Sequence, residues 1–459
     1  MKRLIAMLLL LSLVLAGCAS EPEPPKEQWL EEEGITCYYD AEGEKVTGWQ
    51  TIEGKRYYFS DSGTMLTGWL TVEGVDYCLG EDGVLLTGTQ TIDGTTYHLD
   101  ENGAPLTGYQ VTEEAACLLD DRGIALTGWQ TWEEGTYYAS ETGALLTGWQ
   151  DIEDVRYCFD ESGKLLTGWQ TLEEVSYYFD ENGTLYTGWQ TEEEKKYYLT
   201  EGQKTVGFCP IGEFTYYFGE DGAMHTGWLE QEEDKYYFLE DGTMAIGQIQ
   251  VDGVNRFFLA NGKHFYLVNP WNYVPEEYKP DITTYGGRKM DRSCVEPLKQ
   301  MLKDCRAAGH GVSVVSTYRT HAQQTFLHNR MVNRYLGYGY SQAAAKKKAS
   351  TISAVPGTSE HQLGLAFDIV DTAYTKLNHK QADMPTQKWL MENSWKYGFN
   401  LRYPTGKSDI TGIIYEPWHY RYVGLELAKE LYDRNICLEE YFTELTQQES
   451  VKRENLAQQ

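Results

Sequence analysis

The 459-residue chain carries 69 Asp and Glu against 39 Lys and Arg, a net charge of −30, and is too long for one ordinary domain. The charge is lopsided: from Tyr266 onward there are 24 basic and 21 acidic groups, leaving 15 against 48 in the first 265 residues. A half that acidic repels phosphate and excludes a nucleic-acid partner, and 35 Tyr with 45 Gly point to many short strands and turns rather than a helical bundle.

Lys2 and Arg3 precede an apolar run from Leu4 to Leu15, too short to span a membrane and of the length of a signal-peptide core. It ends in Leu15-Ala16-Gly17-Cys18, which resembles a bacterial lipobox. The resemblance implies a lipoprotein signal peptide over 1–17, cleavage before Cys18, lipidation of its thiol and a membrane anchor. Residues 18–36, Pro-containing and acidic, are expected to form an extended tether.

From 37 to 265 the chain repeats with a period of about 20. Thr-Gly-Trp recurs at 47–49, 67–69, 127–129, 147–149, 167–169 and 187–189, with Thr87-Gly88-Thr89 and Thr107-Gly108-Tyr109 in register between them. The phase slips by one near Gly202 and resumes at Thr226-Gly227-Trp228. Within a unit, Gly48 to Phe59 reads as two aromatic strands around a Glu53-Gly54 turn, the glycine supplying a positive φ. One such hairpin cannot bury its aromatic face alone, so the units must stack as an all-β solenoid. These units resemble the cell-wall-binding repeats of choline-binding proteins, clostridial toxins and glucansucrases. In the choline-binding subset the resemblance implies an aromatic cage, one wall being a Trp just before the Tyr-Tyr pair. Here that position holds Arg56, Asp76, Thr96, Thr136, Arg156, Ser176 and Lys196, so the expected ligand is a wall polysaccharide or glycan rather than choline.

Beyond 265 the period stops and helix-like and strand-like stretches intermingle, which predicts an α+β domain over 270–442, followed by a polar tail over 443–459. Helical spacing runs from Asp291 to Ala308, Val312 to Ser316 reads as a buried strand, and further helices are expected after Thr320, at Ser341–Ser350, at Lys388–Tyr397 and at Leu425–Arg434. Lys346-Lys347-Lys348 reads as a solvated face. Cys294 and Cys305 stand eleven apart on one helix, too far along it for a disulfide, so buried free thiols are expected.

Chemistry concentrates in Ser359-Glu360-His361-Gln362-Leu363-Gly364-Leu365-Ala366-Phe367-Asp368 and Glu416-Pro417-Trp418-His419. Two imidazoles and one carboxylate suit Zn2+ with an open position for water, and a second carboxylate three residues before a ligand suits a general base. The period-two pattern from Leu363 places Asp368 opposite the bulky apolar side chains, with Gly364 and Ala366 leaving room beside it. His361 reaches the same point from the preceding loop, and a helical turn would put Glu416 and His419 on one side.

Ser316-Thr317-Tyr318-Arg319-Thr320, Pro356 to Gly364, Ala366-Phe367-Asp368 and Tyr415 to Gly424 together resemble, in order, the motifs of VanY-type D-alanyl-D-alanine carboxypeptidases, a zinc peptidase family shared with L,D-carboxypeptidases. The resemblance implies that His361, Asp368 and His419 bind zinc and that Glu416 is the general base. It also implies that Arg319 stabilises the oxyanion, that Ser316, Tyr318, Gln324 and Ser359 hold the substrate's terminal residue, and that Trp418 shapes the pocket. The expected protein is a lipid-anchored D,D-carboxypeptidase acting on peptidoglycan stem peptides outside the cytoplasmic membrane. The alternatives are L,D cleavage of tetrapeptide stems and a non-catalytic wall-binding surface protein.

Overall fold

The computed structural model describes residues 25–457 apart from 113, 114 and 277; the expected signal peptide and Cys18 lie outside them. The chain divides into two compact units, one holding the repeats up to 188 with 199–204, the other 189–198 with 205 onward.

In the first unit each period is an antiparallel hairpin. Gly48–Ile52 pairs with Lys55–Phe59, Ile52 opposite Lys55, across a two-residue turn in which Glu53 (φ 51°) and Gly54 (φ 79°) are both left-handed. Later turns put non-glycine residues at the second position, Asp154 (φ 65°) and Glu174 (φ 68°). The linking turns join neighbours: Leu85 N–H donates to Arg56 O at 2.8 Å. Trp49 packs edge-on against Tyr58 of its own hairpin and Tyr77 of the next, each at 5.0 Å, while Phe59 is fully buried. The expected tether is shorter than 18–36. Gln28–Glu32 pairs with Ile35–Tyr39 around Glu33-Gly34, the same turn as 53–54, and Trp29 packs on Tyr38 and Tyr57.

The second unit contains the last hairpins and the α+β region. Its elements are β1 (Ile282–Tyr285), β2 (Arg288–Asp291), α1 (Val295–Ala307), β3 (Val312–Ser316), α2 (His321–Gly337), α3 (Gln342–Ser350), β4 (Ala366–Asp371), α4 (Pro385–Asn393), β5 (Phe399–Leu401), α5 (Ser408–Thr411), β6 (His419–Tyr422), α6 (Leu425–Arg434) and α7 (Leu438–Ala457). The strands β3, β4, β6 and β5 lie side by side in that order, all antiparallel. Phe367, Ile369 and Tyr420 turn to one face, where they meet Leu298, Met301 and Leu302 of α1, Leu390 of α4 and Phe399 in the core. Cys294 and Cys305 are buried free thiols in that core, as their separation predicts.

The polar tail expected at 443–459 is, through Ala457, the continuation of α7. Leu438, Tyr441, Phe442 and Leu445 follow the i, i+3, i+4, i+7 spacing of a buried stripe and pack with Phe257, Phe265, Leu427 and Leu431. Past that stripe Thr446 Oγ1 accepts from Gln248 N–H (2.7 Å), and Arg453 donates to Thr243 Oγ1 (2.8 Å).

Candidate active site

Strand register assembles the site. Ser316 on β3 lies opposite Asp368 on β4, which lies opposite His419 on β6, so three side chains form one row across the sheet on the face away from the core. His361 comes from a 3-10 turn, Glu360–Leu363, that ends at Gly364. Gly364 does not make room beside Asp368, as the strand pattern suggests: its φ is +81°, and a Cβ there would meet Ile282 and Asp291 on β1–β2. Glu416 and His419 share a side through a tight turn rather than a helical one. His419 N–H donates to Glu416 O at 3.1 Å, with Pro417 at the position its fixed φ favours.

Among the described residues His361, Asp368 and His419 form the one group that could hold a metal, their ligand atoms all within 4.8 Å of one another. Asp368 Oδ1 lies 3.4 Å from His361 Nε2 and 3.3 Å from His419 Nδ1. His361 Nδ1 is 2.7 Å from Thr317 O, which makes Nδ1 the protonated nitrogen and frees Nε2 for the cluster. Three buried donors converge on one point.

Glu416 Oε2 stands 3.5 Å from His419 Nδ1. Burial, reinforced by Asp368, pushes its pKa up to about 8. For His419 burial works downward, but Asp368 and Glu360 outweigh it and raise the ring to about 9. Burial and the Arg319 guanidinium push His361 down to about 4. Arg319 is 2.8 Å from Asp368 Oδ2, bonds Ser316 Oγ through Nε (3.0 Å) and Nη2 (2.8 Å), and donates through Nη1 to Gln324 Oε1 (3.2 Å).

A cleft of about 270 Å³ opens on these groups and is lined by Arg319, Ser359, His361, Asp368, Glu416, Trp418 and His419. Ser316, Tyr318 and Gln324 are not part of the lining. Ser316 and Gln324 hold Arg319, and Gln324 also donates to Ala354 O at 2.7 Å. The main chain of Tyr318 bonds Lys289 O.

Sequence reasoning gave no role to a buried ionic network behind His419. Glu360 is 1 % exposed, and its Oε2 faces His419 Nε2 at 3.6 Å. Its Oε1 accepts from Arg402 Nε (2.8 Å) and lies 3.1 Å from Arg421 Nη1. Arg402 turns its other two nitrogens to Glu439 of α7, at 2.9 and 2.6 Å. Tyr403, also unsuspected, lines the cleft with its ring 4.8 Å from that of His419. The adjacency of Glu360 to His361 was the one available signal; Arg402 and Glu439 carry none, because their partners are distant in sequence.

The family model VanY, D-alanyl-D-alanine carboxypeptidase, matches residues 287–425. A choline-binding repeat model matches 46–83 and 166–206, and a putative cell wall binding repeat model matches 90–104 and 226–244. The D-alanyl-D-alanine carboxypeptidase of Enterococcus faecalis is 42% identical over 177 residues, 38% of this chain and 64% of that one. The bifunctional D-Ala-D-Ala dipeptidase and D-Ala-D-Ala carboxypeptidase VanXYC of Enterococcus gallinarum is 35% identical over 160 residues, 33% of this chain and 78% of that one. The solved structure of VanYB in complex with D-alanine-D-alanine is 41% identical, covers 39% of this chain and 96% of that one, and superposes with a TM-score of 0.36. The chain spans between 57% and 64% of the length of three of the curated relatives it matches.

Proposed function

The chain belongs to the VanY D-alanyl-D-alanine carboxypeptidase family, and we propose from that premise that it is a zinc-dependent D,D-carboxypeptidase that removes the terminal D-Ala from peptidoglycan stem peptides. The observation that carries the reading is the convergence of His361 Nε2, Asp368 Oδ1 and His419 Nδ1 beside the Glu416 carboxylate. Two nitrogens and one oxygen are a donor set that zinc accepts with a position left open. These three residues would hold the ion, which when bound supplies Lewis acidity to the attacking water and the scissile carbonyl.

Glu416 takes the proton of the attacking water and returns it to the leaving amine nitrogen. A single carboxyl beside the open position can serve both duties, as base toward the water and then as acid toward the amine. Arg319 is held by Ser316, Gln324 and Asp368, so its charge is fixed in the cleft wall where an oxyanion develops. Ser359 and Trp418, buried in the lining, bound the space for the terminal D-Ala.

The repeats serve as a wall-binding module for a neutral glycan. Half-exposed tryptophans such as Trp69 and Trp129 offer faces for sugar rings. The Trp49 and Trp149 faces already carry their own cations, Arg56 at 4.6 Å and Arg156 at 4.9 Å, which repel a quaternary ammonium. Lipidation at Cys18 anchors the protein at the outer face of the membrane; Cys18→Ser in cells fed labelled palmitate should abolish label and membrane retention. No helix among the described residues is long and apolar enough to cross a membrane.

The deciding experiment incubates the full chain with stem pentapeptide and tetrapeptide, with and without chelator, and follows D-Ala release by mass. Release from the pentapeptide that is abolished by chelation is the expected result. Release only from the tetrapeptide would shift the reading to L,D cleavage, and release from neither, with zinc bound, would sink it.

A further inference from the structure

Between Asp304 and Glu360 the chain has no Asp or Glu, although acidic residues number 69 overall, and in the same interval it has seven Lys and Arg. That interval folds as β3, α2, α3 and the loop into Glu360, and it builds one side of the cleft through Arg319, Arg330, Met331, Arg334 and Ser353. Arg330 and Arg334 stand one turn apart on α2, so their like charges repel. Both are exposed, and neither has an ion-pair partner among the described residues. Other exposed arginines do find carboxylates: Arg292 meets Asp281 at 2.7 Å and Arg434 meets Glu430 at 2.6 Å.

The carboxylates that do line the cleft, Asp368 and Glu416, are buried and committed to the catalytic cluster. Arg319 is equally committed, to Ser316, Gln324 and Asp368. The mouth of the cleft therefore presents two unneutralised guanidinium groups on an otherwise strongly acidic molecule, an arrangement that concentrates anions locally. A guanidinium matches a carboxylate in shape as well as charge.

We propose that Arg330 and Arg334 form a subsite for a second carboxylate of the substrate, one borne by a residue upstream of the terminal dipeptide. The inference rests on the carboxypeptidase reading and adds to it a substrate class, an acidic peptide rather than any peptide ending in D-Ala-D-Ala. Lys346, Lys347 and Lys348 on α3 extend the acid-free surface, although they do not line the cleft.

The test compares two substrates of the full-length zinc-loaded chain. One is diacetylated Lys-D-Ala-D-Ala, which has only its terminal carboxylate. The other carries an N-acetyl-D-Glu, γ-linked and with a free α-carboxylate, in place of the acetyl group on the lysine α-nitrogen. Two exposed ion pairs predict that kcat/KM favours the glutamyl peptide by about fivefold to tenfold at low salt, mainly through KM. The preference should shrink toward one in about 0.5 M salt, where the screening length falls to about half its physiological value, and in the Arg330→Gln/Arg334→Gln double variant. A fold defect would depress both substrates and leave the ratio in place, so the ratio isolates the subsite. Equal kcat/KM for the two peptides in the wild type, or a ratio unchanged in the double variant, overturns the subsite and leaves the carboxypeptidase reading standing. Cleavage of neither peptide overturns both.

Discussion

Replacing Glu360 by Gln keeps the shape of the side chain and removes one charge from a buried set of four. Glu360 and Glu439 face Arg402 and Arg421, and the two guanidinium groups are 0 % and 1 % exposed. In Glu360→Gln Arg402 keeps Glu439, whereas Arg421 loses the one carboxylate within ion-pair distance among the described residues. A buried charge left without its partner costs about 3–5 kcal/mol. Because Gln retains an acceptor oxygen and Arg421 still bonds the carbonyls of Tyr422 and Tyr266, the expected loss is at the lower end, about 3 kcal/mol, a large share of a typical stability. A separate effect falls on zinc. The Glu360 oxygen facing His419 Nε2 orients the ring whose Nδ1 points at the cluster, and losing such a partner weakens metal binding by about 10-fold to 100-fold. The assay is guanidinium denaturation in chelator, read at the transition that responds to zinc, with zinc affinity measured by chelator competition. A change under about 1 kcal/mol together with an unchanged zinc affinity would refute the reasoning.

Glu416→Gln should lower kcat by about 10²–10⁴-fold, the range for losing a general base, while zinc content by elemental analysis stays stoichiometric; loss of zinc instead would make Glu416 a structural residue. In chelator, the raised pKa values of Glu416 (about 8) and His419 (about 9) mean that the folded state holds protons the unfolded chain has released. Their contribution is complete below the unfolded values and is lost as pH rises through 8 and 9. Metal-free Tm should therefore fall between pH 6.5 and 9, and the Tm gain on adding zinc should grow over that window; a pH-independent gain would contradict it. Glu174→Gly, at a turn position with φ 68°, should stabilise the repeats by about 1 kcal/mol, read as a higher urea midpoint, and a lower midpoint would show that the Glu174 side chain contributes there.

The hairpins are legible because each unit states its own turn, strands and aromatic face within 20 residues. The candidate metal cluster is legible for a different reason: its members sit in short contiguous motifs, and period two alone places Asp368 on the face away from the core. What the sequence hides is everything set by pairing at a distance. Arg402 reaches Glu360 across 42 residues and Glu439 across 37, and no local pattern marks an arginine as buried. The first hairpin is masked by its acidic strand, Gln28–Glu32, although Glu33-Gly34 repeats the turn seen at 53–54. The C-terminal helix is different again: the stripe from Leu438 to Leu445 was readable, but the polar residues after it drew the boundary too early. Glu416 and His419 illustrate a spacing with two solutions, since a tight turn and a helical turn both bring i and i+3 together.

The helix α7 changes what counts as a separable piece of this protein. Its apolar stripe shares one core with Phe257 and Phe265, residues that by periodicity belong to the repeats, and its far end holds Thr243 through Arg453. A cut at 270, where the 20-residue rhythm stops, would slice through that shared core and strip Thr446 and Arg453 of their partners. The gene's rhythm and the packed core thus have different borders: the final hairpins keep the 20-residue form of the repeats but share the core of the α+β region. An excised α+β region that begins near residue 205 should keep Glu439 in place behind His361, Asp368 and His419, whereas one that begins at 270 would lose the surface against which that helix is braced.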